Sequence, residues 1–413
     1  MLEGIKVLDV SQMYAGPLAA LLLADLGADV IKIEGPSGDR IRRTWAPASS
    51  GSAGNDSPRF VTMNRDKRSI CLDLSSPAGR EIFLDLVRLA DVVIENQRPD
   101  VWQKWGLSYT VLAEVNPRII MGSITGMGST GPLSGRRTYD LISQAHSALY
   151  GALKTSDGTP IRGGYLLSDA TAPLHLVSGV LAALWDRERT GTGRHVSVSL
   201  LSAGLWLQLT RIMRFEDHPE LDADQAGVNA LTSVYACSDG RWLVIALTSD
   251  AEWVELASTM GLPELLTYPE YKNHRSRLDN VTSLGEMLAG VFSTRPAAEW
   301  EELLNSRGIP SSRIAEPSEV LDDEQVVSNN WVVSRDHSRL GRYQTFGNFI
   351  QADGWQRSGT RAAPTLGEHT VEILSELGRS PADISRLTEE GVVLTQGVPA
   401  AGPDNTESQV KPT

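Results

Sequence analysis

The residue placed most suggestively for chemistry is Asp169, in GGYLLSDATAPLHLVSGVLAAL (Gly163 to Leu184). There the short apolar run Tyr165-Leu166-Leu167 ends at Ser168-Asp169, and small residues with Pro173 open a long apolar segment at helical spacing. A carboxylate at that handover from strand or loop to helix has two readings. It is a helix N-cap, accepting a hydrogen bond from an orphan backbone N–H, or a nucleophile held in a partly dry pocket against an activated carbonyl. Pattern alone leaves both open. A second set of candidates is basic: Arg40, Arg42 and Arg43; Arg65, Lys67 and Arg68; Arg136 and Arg137. Residues 1–140 are charge-balanced, so the whole net charge of −13 falls later. Each cluster singly fits a solvated loop. Three together in a balanced segment favour a local anionic ligand over a duplex, which usually needs a wholly basic domain.

Other chemistries find no motif. The seven histidines (His146, His175, His195, His218, His274, His337, His369) form no HxxxH or HExxH pair, and Cys71 and Cys237 stand alone, so no metal site is expected and a reducing cytosol fits. GxSxG and GxxxxGK[ST] are missing, and the first turn, SQMYAGP, carries no GxGxxG. With 41% apolar and 22% charged residues the composition is that of a soluble globular protein. MLEGIKVLDV has no signal-peptide character, and the apolar runs Leu18 to Ala24 and Leu174 to Trp185 are too short to span a bilayer. A cytoplasmic protein is expected.

The elements that must position these residues read as α/β. IKVLDV is a buried strand, Gly16-Pro17 opens a helix that Gly27 closes, and DVIKIE is the next strand. The loop EGPSGDRIRR follows it, where open α/β sheets bind ligands. Ser49 to Ser57 looks mobile, and MNRDKRSICLDL reads as an exposed basic turn entering a strand that ends near Asp73. A helix over Ala78 to Leu89, the strand DVVIEN, a short helix over Val101 to Trp105 and the strand RIIMGSI continue the alternation, which predicts a parallel sheet covered on both faces. RRTYDLISQAHSALYG is one helix by spacing, HVSVSLL a last strand, and Ala203 to Met213 another helix. After an acidic linker, Glu216 to Asp224, a second domain begins near Val228. It holds a hairpin turning at Asp239-Gly240 and helices around Asp250 to Met260, Ser283 to Val291 and Pro296 to Ser306. Short strands follow from Trp331, then the helix LGEHTVEILSELG. Beyond about Val393 the composition predicts disorder.

The chain resembles the family III CoA-transferases, which include formyl-CoA:oxalate and carnitine CoA-transferases and, as a divergent branch, α-methylacyl-CoA racemase. The resemblance runs from Leu2 to Gly378. Its landmarks include LEGIKVLDVSQMYAGP, LLADLGADVIKIEGPSGDRIR, NRDKRSICLDL, ADVVIENQRPDVWQKWGL, NPRIIMGSITGMGSTGP, SDATAPLHLVSGVLAAL, RTGTGRHVSVSLL, RGIPSSRI and PTLGEHTVEILSELG, in order and at the family's spacing. It implies that Asp169 is the nucleophile, forming first a mixed anhydride with the acyl group and then an aspartyl-CoA thioester. It implies a CoA site at Tyr14, Ala15, Arg40, Leu72, Asn96, Gln97, Lys104, Arg137 and Tyr139, with Arg43 undecided and no permanently bound cofactor. Partners would be an acyl-CoA and a small carboxylic acid, with neither nucleic acid nor membrane.

The implied architecture is an interlocked homodimer of ring-like subunits. Each has a large Rossmann-like domain (1–215), a smaller α+β domain (225–325), a segment returning to the large domain (330–380) and a disordered tail (393–413). The racemase branch pairs its aspartate with a histidine from a GHD motif. Here Thr138-Tyr139-Asp140 stands in that place, leaving His146 as a displaced substitute. A racemase, and a silent acyl-CoA-binding paralogue, are therefore the alternatives. AGVNALTSVYACSDG lacks the Gly-rich run of the formyl/oxalate enzymes, which disfavours oxalate as acceptor.

Overall fold

A computed structural model describes residues 1–44, 56–155, 157–218, 229–355 and 360–395. The expected mobile stretch at 49–57, the acidic linker, the second-domain start near Val228 and the tail lie wholly or largely outside the described residues.

The described residues within Met1–Thr210 and Val327–Thr413 form one compact unit, and those within Arg211–Val326 a second. The first unit is built on strands β1 (Lys6–Asp9), β2 (Asp29–Glu34), β3 (Lys67–Leu72), β4 (Val92–Glu95), β5 (Ile120–Thr125) and β6 (His195–Ser199). Their order is β3-β2-β1-β4-β5-β6, every pair parallel. A short strand at Val393–Leu394 adds antiparallel to the β3 edge, so the chain stays ordered slightly beyond the expected onset of disorder.

The strands are buried on both faces because successive residues serve different cores. Val7, Val30, Val92 and Ile120 pack with helix α1 (Ala15–Asp25) and the long helix Leu167–Thr190, whereas Leu8, Ile31, Val93 and Met121 pack beneath the helix Pro77–Leu89 and Thr370–Glu376. Pro17 sits in the first turn of α1, where its missing N–H costs nothing. The helix Leu167–Thr190 has the length and apolarity of a membrane span, contrary to the sequence expectation. It is held as a core helix here, burying Ala172, Leu176, Val180 and Ala183 at helical spacing. Gly122 of β5 permits that approach, since a Cβ there would stand 2.8 Å from Ile94 and 3.2 Å from Val180.

Some elements differ from expectation. The single helix read from RRTYDLISQAHSALYG is two, Asp140–His146 and Leu149–Ala152, broken where Ala148 takes φ +64. The helix expected at Ala203 to Met213 is Leu200–Trp206, started by a Ser199/Ser202 capping box.

The largest correction concerns the basic clusters. Arg42, Arg65, Lys67 and Arg68 are buried, not solvated. Arg42 grips Glu34 with two bonds of 2.8 and 2.7 Å and also reaches Asp56. Arg65 pairs with Asp25 and Asp66. Arg68 ties Asp29 to Glu372 and Glu376, fastening the helix Thr370–Glu376 to the sheet. Lys67 Nζ donates to Asp9 Oδ2, Asn64 Oδ1 and the Pro17 carbonyl at 2.8–2.9 Å. Burial pushes this lysine down to about 8. Burial alone would raise Asp9, but Lys32 and Lys67 overcome it and hold its carboxyl below the usual range. These cations are consumed by structure and leave no free charge for a ligand.

The second unit carries an antiparallel sheet of Thr232–Ala236, Trp242–Ala246 and Ser311–Arg313, covered by helices Asp250–Thr259, Val281–Phe292 and Ala297–Ser306. Trp253, Leu284, Leu288, Phe292 and Trp300 fill its own core.

Candidate functional site

Parallel sheets open a crevice where strand order reverses, outside the strand C-termini. In this sheet that point lies between β1 and β4. A cleft of about 410 Å³ opens there, lined by the turn after β1 (Gln12 to Ala15), the turn after β4 (Asn96 to Arg98), the end of β5 (Ile124 to Gly126), Ser134 to Tyr139, Arg40, Asp169 and Leu200.

The turn after β1 is held rigidly. Asn96 clamps Gln12 by accepting its N–H at 2.8 Å and donating to its carbonyl at 2.7 Å. Gln97 donates to the Val10 carbonyl at 3.1 Å. Met13 takes φ +67, an uncommon conformation for a residue with a Cβ. Its N–H points at both oxygens of Asp39, which Lys32 neutralises from 3.3 Å. Gly16 is required next, because a Cβ there would strike the Ser11 side chain and approach Asn96.

Asp169 is the third residue of the helix Leu167–Thr190 and not its N-cap; that position is Leu166, which offers no side-chain cap. Pro173 lies inside the helix and has no N–H for the Asp169 carbonyl four residues back. The Asp169 N–H donates to Asp140 Oδ1 at 3.0 Å, and Asp140 is in turn held by Gln144. The half-buried Asp169 carboxylate meets no protein donor among the described residues. Burial, and after it the Asp140 carboxylate, pushes its pKa up to about 7. It is thus a carboxylate poised to be ionised or neutral around pH 7, in a cleft otherwise lined by the cations Arg40, Arg98, Arg136 and Arg137.

Two tyrosines enter the same cleft. Tyr14 Oη accepts a hydrogen bond from Arg59 Nη1 at 2.6 Å, and burial raises its pKa against the pull of Arg59. Tyr139, 47% exposed, accepts one from Arg137 Nη2 at 2.6 Å, which with Arg40 lowers its pKa.

Of the site residues expected from sequence, Tyr14, Ala15, Arg40, Asn96, Gln97, Arg137, Tyr139 and Asp169 line one cleft. Two do not. The Leu72 side chain is wholly buried in the hydrophobic core, so it offers a ligand no side-chain contact, and Lys104, exposed on the helix Pro99–Trp105, is not among the residues lining the cleft. Arg43 is exposed and donates to the Ser37 carbonyl. His146, the displaced acid/base candidate, is exposed at the end of its helix and does not line the cleft. Sequence reasoning missed Asp140 as the partner of Asp169, although it stands beside Tyr139 at a helix start. It also missed Arg59, which no motif marks.

The model of CoA-transferase family III matches residues 2–370. The chain is 33% identical over 411 residues to formyl-CoA:oxalate CoA-transferase of Streptomyces coelicolor, covering 95% of this chain and 99% of that one. It is 31% identical over 397 residues to human succinyl-CoA:glutarate CoA-transferase, covering 95% and 90%. Among solved structures, a CAIB/BAIF family protein from Brucella suis superposes with a TM-score of 0.80 at 29% identity, over 91% of this chain and 99% of that one.

Proposed function

Because the chain belongs to CoA-transferase family III, we propose that it moves coenzyme A from an acyl-CoA donor to a free carboxylic acid with Asp169 as nucleophile. The Asp169 carboxylate, which meets no protein donor among the described residues, stands in an arginine-lined cleft, and this carries the reading. An Asp169 oxygen attacks the thioester carbon; the C–S bond breaks and CoA leaves as thiolate, giving a mixed anhydride. The thiolate attacks the aspartyl carbonyl of that anhydride and releases the donor acid. The acceptor carboxylate then attacks the resulting aspartyl-CoA thioester, and the returning thiolate takes the acyl group, restoring Asp169. Every step exchanges acyl bonds, so no oxidant, metal or resident cofactor is required. Partial burial strengthens the nucleophile and protects both intermediates from water. Arg40, Arg136 and Arg137 line the same cleft, which supports their holding phosphate oxygens through charge-assisted hydrogen bonds, and the acceptor is of the small carboxylic acid class on which the named relatives act.

The working form we propose is a cytosolic homodimer whose subunits interlock. Leu174, Trp185, Trp206 and Leu209 are exposed apolar side chains that association would cover. The racemase alternative gains no support, since the GHD histidine position holds Tyr139, bonded to Arg137, and His146 stands off the cleft.

The test is mass spectrometry of CoA thioesters after incubation in heavy water with a panel of acyl-CoAs and free acids. New thioesters without α-deuterium are expected, and Asp169→Ala should abolish them while acyl-CoA still binds. Deuterium wash-in with no new thioester would replace the reading with racemisation.

A further inference from the structure

The transfer chemistry leaves one need unmet by Asp169. Attack on the thioester drives a negative charge onto the carbonyl oxygen, and a preorganised donor must face it. We propose that the hydroxyl of Tyr14 is a second catalytic group, donating a hydrogen bond to that oxygen while Arg59 holds and polarises it. This inference rests on the transferase reading.

Three observations support it. Tyr14 and Asp169 line the same cleft. The Tyr14 oxygen already accepts from Arg59 at 2.6 Å, and its own proton meets no acceptor among the described residues, so the O–H is left to point at a ligand. An oxygen bonded to a guanidinium makes a stronger donor, while burial keeps the phenol protonated at neutral pH. The backbone carrying the ring is fixed in advance by the Asn96 clamp on Gln12 and the Asp39 grip on Met13. Reorganisation at the moment of reaction is therefore small. Tyr139, the other phenol in the cleft, is more exposed and sits among the arginines assigned to phosphate. No proton is transferred in the proposed step. The Asp169 C–O bond forms, the carbonyl electron pair moves to oxygen under the Tyr14 hydrogen bond, and its return expels the thiolate.

The experiment compares initial rates of wild type, Asp169→Asn, Tyr14→Phe, Arg59→Ala and the Tyr14→Phe/Arg59→Ala double variant, with succinyl-CoA plus glutarate and formyl-CoA plus oxalate. Tyr14→Phe is expected to lower kcat about 100-fold with KM for acyl-CoA within about twofold and an unchanged melting temperature. Arg59→Ala should cost less, and the double variant should be no slower than Tyr14→Phe, because Arg59 acts through the hydroxyl. A wild type active on either pair, an inactive Asp169→Asn and a Tyr14→Phe within about threefold of wild-type kcat would overturn the role of Tyr14 alone. A loss confined to KM would do the same. Absence of transfer by the wild type on both pairs and across the full panel of acyl-CoAs and free acids would overturn this inference together with the reading beneath it.

Discussion

Replacing Asp140 by Asn removes the carboxylate that, after burial, raises Asp169, while keeping an oxygen to accept the Asp169 N–H. The rise from 3.8 to about 7 has burial as its larger cause, so Asp140 accounts for the smaller share. Each pKa unit of that share corresponds to about 1.4 kcal/mol and a tenfold change in proton affinity. In the proposed mechanism only ionised Asp169 attacks, so kcat/KM of the wild type should climb with pH through a midpoint near 7. In Asp140→Asn that limb should move to lower pH. At pH 6 the wild type should run at about 9% of its plateau, and the variant at a larger share of its own. The plateau itself should fall little, because the retained amide oxygen still accepts the Asp169 N–H. The assay is thioester transfer across pH 5 to 9, with circular dichroism verifying the fold at each end. A limb that stays put or moves upward would refute the argument, because Asp169 would then not be the ionising group or Asp140 would not repel it. Burial raises Asp140 too, so the midpoint belongs to the pair rather than to one residue.

Two stability changes have opposite signs. A folded-state pKa raised above its unfolded value weakens the fold as pH rises through the interval, here from about 4 to about 7. Asp169→Asn should therefore stabilise the protein by about 2 kcal/mol at pH 8, discounted for partial exposure, and by much less at pH 4. Thermal melts at both pH values check this, and equal gains would refute it. Arg42→Met should instead destabilise by about 3–5 kcal/mol, because it strands Glu34 and Asp56 in a dry interior. Urea unfolding of the first unit's transition measures it, and a cost below about 1 kcal/mol would show that the pair is not load sharing.

The parallel sheet was legible because its signal is local: unbroken apolar strands, Pro17 early in α1, and polar punctuation between elements. The cleft was legible mostly through family resemblance, which brought eight of its residues together on paper before the geometry did. What stayed hidden depends on partners distant in sequence. Arg65 finds Asp25 and Arg68 finds Glu376, far beyond any window that reads a basic cluster. The clusters thus looked like ligand sites when half of their members were internal ties. Asn96 and Gln97 were read as ligand contacts, and their side chains also brace the turn on which Tyr14 stands. Ala148 broke a helix whose periodicity continues through it, since a single residue at φ +64 leaves no trace in apolar spacing.

The division between dry and wet cations sets how the molecule answers ionic strength. Arg40, Arg98, Arg136 and Arg137 are exposed at the cleft, where dissolved salt screens them within roughly 8–10 Å. Lys32 and Lys67, fully buried behind the turn after β1, are beyond the reach of mobile ions. Concentrated electrolyte should therefore weaken the capture of an anionic substrate and leave the framework of the turn intact. A halotolerant version of this site would need new contacts only at its mouth.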